Sequence, residues 1–292
     1  MSKLIKGVRV RHLSKSAWGV GQLLEDQNSE FLRVFFEGCG EVTLHSIARN
    51  KLSVVDGIDA QSLILDNMLL PKTGHAKQML NLDDVKTQFL QKFPGGLRGP
   101  RMIVQERNYK DRLSKLSDQL FDKAELTEML QSEKYKEVAE RAGQIIKHKD
   151  NNFPASFEKM RISDGLKNLI DPQPFAQAFC EWVLPSAANQ VSFEAFATQL
   201  DAVGCAKWPV LSSYRYLLHP TVDVMIKPEN LQKAAALCGF EINYKPALNW
   251  LTYASVQDFY GYIKKKIADL EPQDMIDVQN FIWCIDPDQY PN

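Results

Sequence analysis

Between Arg98 and Lys115 six cations, Arg98, Arg101, Arg107, Lys110, Arg112 and Lys115, stand against two anions, Glu106 and Asp111, with Tyr109 among them. Guanidinium and ammonium groups at that density are suited to phosphate contact, so the stripe is a candidate nucleic-acid-binding surface. The same residues at i,i+4 spacing also make the ion pairs of a solvated helix face. A second polar grouping falls in the C-terminal third. Lys227, Asn243, Lys245, Asn249 and Trp250 combine cationic and amide donors with an aromatic ring, and the last four share the non-helical run from Glu241 to Trp250. They are candidates to line a recognition groove.

Catalytic chemistry has a thinner basis. His12, His45, His75, His148 and His219 are far apart, without the His-x-x-x-His spacing of a metal site. No Gly-x-Ser-x-Gly elbow, dinucleotide glycine fingerprint or phosphate loop occurs. Glu133 with Lys136 and Glu106 with Lys110 are the carboxylate–lysine pairs that a metal-dependent nuclease would need. Cys39, Cys180, Cys205, Cys238 and Cys284 are scattered singly, which predicts reduced thiols and no zinc. No metal, cofactor or catalytic residue is assigned.

Helical periodicity positions most of these side chains. The patterns predict helices over 58–70, 83–93, 101–120, 133–148, 156–170, 175–184 and 191–203, then from Pro228 to Gly239, over 251–270 and after Pro272. Asp122 and Glu125 form a capping arrangement ahead of Leu126. Phe93 to Pro100, with three glycines and two prolines, reads as a hinge, and Asn151 to Pro154 as a possible sub-boundary. Trp208, Tyr214, Tyr216, Tyr253, Tyr260 and Trp283 are either core or a base-stacking platform.

The first 55 residues have a different texture. Gly7–His12, Trp18–Leu24, Phe31–Phe36, Gly38–Leu44 and Asn50–Val55 are short runs rich in Val, Phe and Thr, bounded by Gly, Asn or charge, and predict five strands closing into a small barrel. Phe31 to Phe36 is apolar on both parities, as in a strand buried on both faces. The motifs Gly7-x-x-Val10-x-His12, Trp18-Gly-x-Gly21, Val34-x-Phe36 and Gly40-x-x-x-Leu44 resemble the Tudor or SH3-like barrel of UvrD/PcrA-type helicases and CarD-type transcription regulators. The resemblance implies docking on RNA polymerase, a helicase or nucleic acid, with Arg9, Arg11, Trp18, Arg33 and Phe35 as candidate partner-binding residues.

The expected architecture is therefore α+β: a barrel over 1–56, a helical linker with its hinge over 57–100, and an α-helical domain over 101–292. With 292 residues, 45% apolar and 24% charged, the chain is long enough for a large core, and its net charge of −1 leaves any nucleic-acid binding to a local patch. No apolar run is long enough for a bilayer and the N-terminus lacks a signal-peptide core, so a cytoplasmic location without membrane contact is expected. The expected function is a non-enzymatic interaction protein whose barrel docks on a nucleic-acid machine while the helical body binds a second partner. The alternatives are a nucleic-acid-processing or defence enzyme with a metal-dependent site in the helical part, and a subunit of a larger assembly.

Overall fold

The computed structural model describes residues 4–27, 30–68 and 82–285. Five strands, β1 (Arg9–His12), β2 (Val20–Leu23), β3 (Phe31–Phe36), β4 (Gly40–His45) and β5 (Leu52–Val54), form one antiparallel sheet in the order β4-β3-β2-β1-β5. The five predicted strands are all present, but the sheet is not the closed barrel expected. β5 is three residues long and reaches only β1. The free edge of β4 is met by the helical body, where Glu41 N donates to Gly239 O at 2.8 Å, so the two edge strands do not pair with each other.

The sheet has two buried faces, which explains the apolar run of β3. Leu32, Val34 and Phe36 join Val10 and Leu23 in a small core, closed by Trp18, whose ring lies 4.9 Å from His12 and 5.0 Å from Phe36. Gly21 is required there, because a Cβ at that position would stand 2.5 Å from the Phe36 ring. Val20, Leu24 and Phe35 face the other way and belong to the apolar core of the helices, with the Phe35 ring 5.3 Å from Phe240. Gly40, at φ 75°, packs against the same Gly239–Phe240 corner. Sheet and helices therefore share a continuous core.

The helices follow as α1 (Leu63–Asp66), α2 (Leu82–Lys92), α3 (Pro100–Met102), a π-helical segment (Ile103–Arg107), α4 (Asn108–Leu120), α5 (Lys123–Gln131), α6 (Tyr135–Lys147) and α7 (Ser156–Lys167). They continue as α8 (Gln173–Val183), α9 (Gln190–Ala202), α10 (Trp208–Leu218), α11 (Pro228–Leu237), α12 (Trp250–Lys266) and α13 (Met275–Ile285). The predicted 58–70 helix is a 3-10 turn (Gly57–Ala60) followed by α1, and its last two residues, with Pro71–His75, lie outside the described residues. Asp122 caps α5, accepting from Glu125 N at 3.0 Å, but Glu125 turns away to Arg141 at 2.7 Å and does not close the box. The Phe93–Pro100 stretch is packed down, with Phe93, Gly96 and Leu97 buried. Tyr214, Tyr216, Tyr253 and Tyr260 are core residues with no free ring face. No helix among the described residues is long and apolar enough to cross a membrane.

Candidate functional site: a buried ion network behind a lysine-lined cleft

Half of the basic stripe turns inward. The helical stretch from α3 to α4 is interrupted by its π segment, a rare feature that shifts the side-chain register and recurs at functional sites. Glu106, Arg107 and Lys110 sit in or just after it and face α13. Asp274 caps α13, accepting from Ile276 N at 3.0 Å and Asp277 N at 3.1 Å. The Arg107 fork reaches both carboxylates of that helix start, Asp274 at 2.6 and 2.8 Å and Asp277 at 2.9 Å, while its Nε donates to Asp111 at 2.7 Å. Arg98 takes the remaining side of Asp277 at 2.5 Å. The surrounding carboxylates raise Arg107 further above its ordinary range against the cost of burial.

Lys110 lies one turn further on, and only 1% of it is exposed. Its ammonium donates to Glu106 Oε2 at 3.1 Å, to Gln279 Oε1 at 2.7 Å and to Asn280 Oδ1. All three of its N–H bonds are therefore satisfied. Burial still outweighs the attraction of Glu106 and lowers its pKa to about 8. Asn280 Nδ2 is buried with no acceptor among the described residues. Trp283, one helical turn beyond Asn280, comes out at a cleft and meets Lys227, whose Nζ stands 4.9 Å over its ring. Burial also lowers the Lys227 pKa, opposed by Glu106 and Glu158.

The Lys110 shift makes a stability prediction with a definite sign. Its pKa is about 8 folded and 10.5 in the reference state, so between these values the unfolded chain binds more protons and folding gains from rising pH. Thiols that burial pushes up, such as Cys180 and Cys238, act oppositely, but equally in a Lys110→Met variant. In urea titrations the stability difference between wild type and Lys110→Met should grow in favour of wild type by about 2 kcal/mol from pH 7.5 to 9.5. A flat difference would show that the ammonium is not penalised by its site.

The other cations of the stripe lie outward. Arg101 covers the Phe93 ring at 5.1 Å and donates to Lys92 O at 2.8 Å. Arg112 pairs with Asp150 at 2.8 Å, and Lys115 is exposed on α4. The structure thus splits the six residues into the buried Lys110, the largely covered Arg107, the more exposed Arg98 held by Asp277, and an outward set.

The candidate residues of the sheet are engaged within the chain. Arg9 pairs with Asp66 at 3.0 Å, the exposed Arg11 donates to Asp59 O at 3.3 Å, and Arg33 bridges Glu41 at 2.7 Å and Glu25 at 3.4 Å. Trp18 is half-buried and Phe35 is buried against the helices. The five groove candidates do not form one groove. Asn243, at φ 48° and buried, donates to Ser255 Oγ at 3.1 Å. Lys245 N donates to Thr252 Oγ1 at 3.2 Å, Asn249 caps α12 through Thr252 N at 2.8 Å, and Trp250 stacks on Tyr253 at 5.5 Å. These four build the turn into α12, and only Lys227 lines a cleft.

Among the described residues no group of three or more His, Cys, Asp and Glu side chains is arranged to hold a metal ion. The chain matches no family model, and no curated protein or solved structure matches it.

Proposed function

We propose that this chain is a non-enzymatic interaction protein: its N-terminal sheet docks on RNA polymerase or a helicase, and the helical body, joined to the sheet by a shared core, carries a second partner. The observation that most supports this reading is the apolar rim of the sheet. Seven of the fourteen exposed large apolar side chains among the described residues lie before residue 64. Four of them lie in β5 or in the turns that adjoin the strands: Leu13 is 68% exposed, Ile47 78%, Val54 57% and Ile58 84%. Leu13 N donates to Lys51 O at 2.8 Å, which fixes it beside the start of that strand. Exposed apolar side chains concentrated on one small sheet are what a protein contact would bury, and burying each contributes about 1.5–3 kcal/mol.

The test is affinity purification of the tagged full-length protein from its native host, with nuclease treatment, against an Ile47→Glu/Ile58→Glu variant. Both side chains are solvent-exposed, so the fold tolerates the change. A polymerase or helicase retained by wild type and reduced at least tenfold by the variant is the expected result. Recovery of nucleic acid alone, or of the same partners with both proteins, would overturn the reading.

A further inference from the structure

A cleft of about 610 Å³ opens between α6, α7 and the turn that follows α7. Its apolar lining is Ala139 and Gly143 from α6, Leu166 from α7, and Leu169, Ile170 and Pro172 from the turn. The two helices meet closely at Gly143, where a Cβ would stand 3.3 Å from Leu166 Cδ1. Ile170 is fully exposed, and Met160, one turn ahead of Ser163 on the α7 wall, is 61% exposed. From Lys136 to Lys147 the α6 wall runs for about three helical turns.

The charges on these walls have one predominant sign. Lys136, Lys147 and Lys167 stand against Glu140, and none of the four makes a hydrogen bond or ion pair among the described residues. Asp171, in the turn, accepts from Gln173 N at 3.0 Å. Lys147 lays its stem over Gly143, with Nζ 3.9 Å from the position a Cβ would take, so an ammonium hangs over the apolar floor. Helix stability accounts for only part of this set. Lys147 and Lys167 lie in the last turns of α6 and α7, where a cation favours the helix dipole, but Lys136 lies in the first turn of α6, where it opposes it. An apolar trough between two helices, with cations on both rims, has the shape and charge to seat the apolar stripe of a third helix flanked by carboxylates. A flat bilayer surface would meet the rim lysines and leave the floor unfilled.

We propose that this cleft is the seat of the second partner, and that the partner presents an amphipathic helix with Glu or Asp on either side of its apolar stripe. The inference rests on the reading of the helical body as the carrier of a second partner, and is independent of what the sheet docks on.

The test is selection, on the full-length protein, of displayed peptides about five helical turns long, with apolar residues at i, i+3, i+4 and i+7 spacing and Glu, Gln or Lys equally allowed elsewhere. Survivors should carry at least threefold more Glu than Lys, and the best of them, made synthetically, should bind one-to-one with a Kd below about 100 µM by fluorescence anisotropy. Lys147→Glu/Lys167→Glu should weaken that peptide at least tenfold, and a copy with Lys in place of each Glu should bind this variant better than it binds wild type. Ile170→Glu should weaken it at least threefold. Lys264→Glu/Lys265→Glu, the same charge change on α12, should leave it unaltered. Ile47→Glu/Ile58→Glu should also leave it unaltered, so failure of sheet docking is read separately from failure of the cleft. Thermal midpoints check folding, and Lys147→Gln/Lys167→Gln decides the matter if the charge reversal does not fold. No enrichment, survivors without an excess of Glu, or equal binding by wild type and the lysine variant would overturn the assignment. So would co-sedimentation of wild type with phosphatidylserine vesicles when no acidic peptide is enriched.

Discussion

Arg107→Ala should destabilise the protein by about 3–5 kcal/mol, because it leaves the buried Asp274 without its counter-ion and Asp277 with Arg98 alone. Asp277 is fully buried and Asp274 nearly so, and Arg107 is the group that reaches both. Asp274 would keep the two amides of its own helix start, and Asp277 would keep Gln273 N and Arg98. Arg98 cannot take over, since its side chain is 38% exposed and its ion pair is weakened by solvent. Arg98→Ala should accordingly cost much less than Arg107→Ala. Arg107→Lys should recover little, because one ammonium cannot span three carboxylates as a planar fork does. Adding Asp274→Asn to Arg107→Ala should return part of the loss, and the double-mutant cycle measures the coupling directly. Urea unfolding at pH 7 is the measurement. A cost below 1 kcal/mol for Arg107→Ala would mean that water or rearrangement neutralises the pair.

The contrast between this network and the strands shows what a sequence displays and what it hides. The strands were legible because each carries its own local signal: β-branched and aromatic residues between turn residues, with Gly21 and Gly40 where the backbone must approach closely. Closure of the sheet was not legible. It turns on Glu41 meeting Gly239, a contact between residues far apart in the chain that no strand pattern encodes. That Arg107 and Lys110 of the basic stripe turn inward was hidden for the same reason. Its spacing fits a solvated helix, and the carboxylates that draw Arg107 inward lie about 170 residues later. The useful signal was at α13, where Asp274 caps and Asp277, Gln279 and Asn280 interrupt an otherwise apolar helix. Polar residues at core positions require partners, and a cation-rich helix with a shifted register is where to look for them. The cleft depends on Lys227, which the sequence did single out, but its neighbours Asn230 and Trp283 come from two different helices. Helix α10 was missed altogether, since every residue from Trp208 to Leu217 is buried and no polar face sets a period.

That helix carries the site of the second large effect. Arg215→Ala should cost at least about 4 kcal/mol, more than Arg107→Ala. Arg215 has no exposed surface, and its donors are distributed over four acceptor groups: Asp223 at 2.7 and 3.0 Å, Trp182 O at 2.6 Å, Pro185 O at 2.7 Å and Ser186 O at 3.0 Å. Its guanidinium also lies 4.9 Å over the Trp182 ring. These bonds tie the end of α8 and the turn after it to α10 and to the loop holding Asp223. Removing the side chain strands a carboxylate of which 1% is exposed, together with three main-chain carbonyls. Asp223 would retain only the hydroxyl of Tyr253, a neutral donor, where Asp277 would retain a charged one. Arg215→Met should be nearly as damaging as Arg215→Ala, since filling the space does nothing for the orphaned acceptors. Adding Asp223→Asn to Arg215→Met should lessen the loss by removing the buried charge while leaving the carbonyls unpaired. Against a total of about 5–15 kcal/mol for a folded domain, the single substitution brings the protein close to unfolding at 37 °C. Thermal and urea unfolding of these three variants beside Arg107→Ala give the ranking. If Arg107→Ala proves the more destabilising, the charge retained by Asp277 through Arg98 is not what separates the two sites.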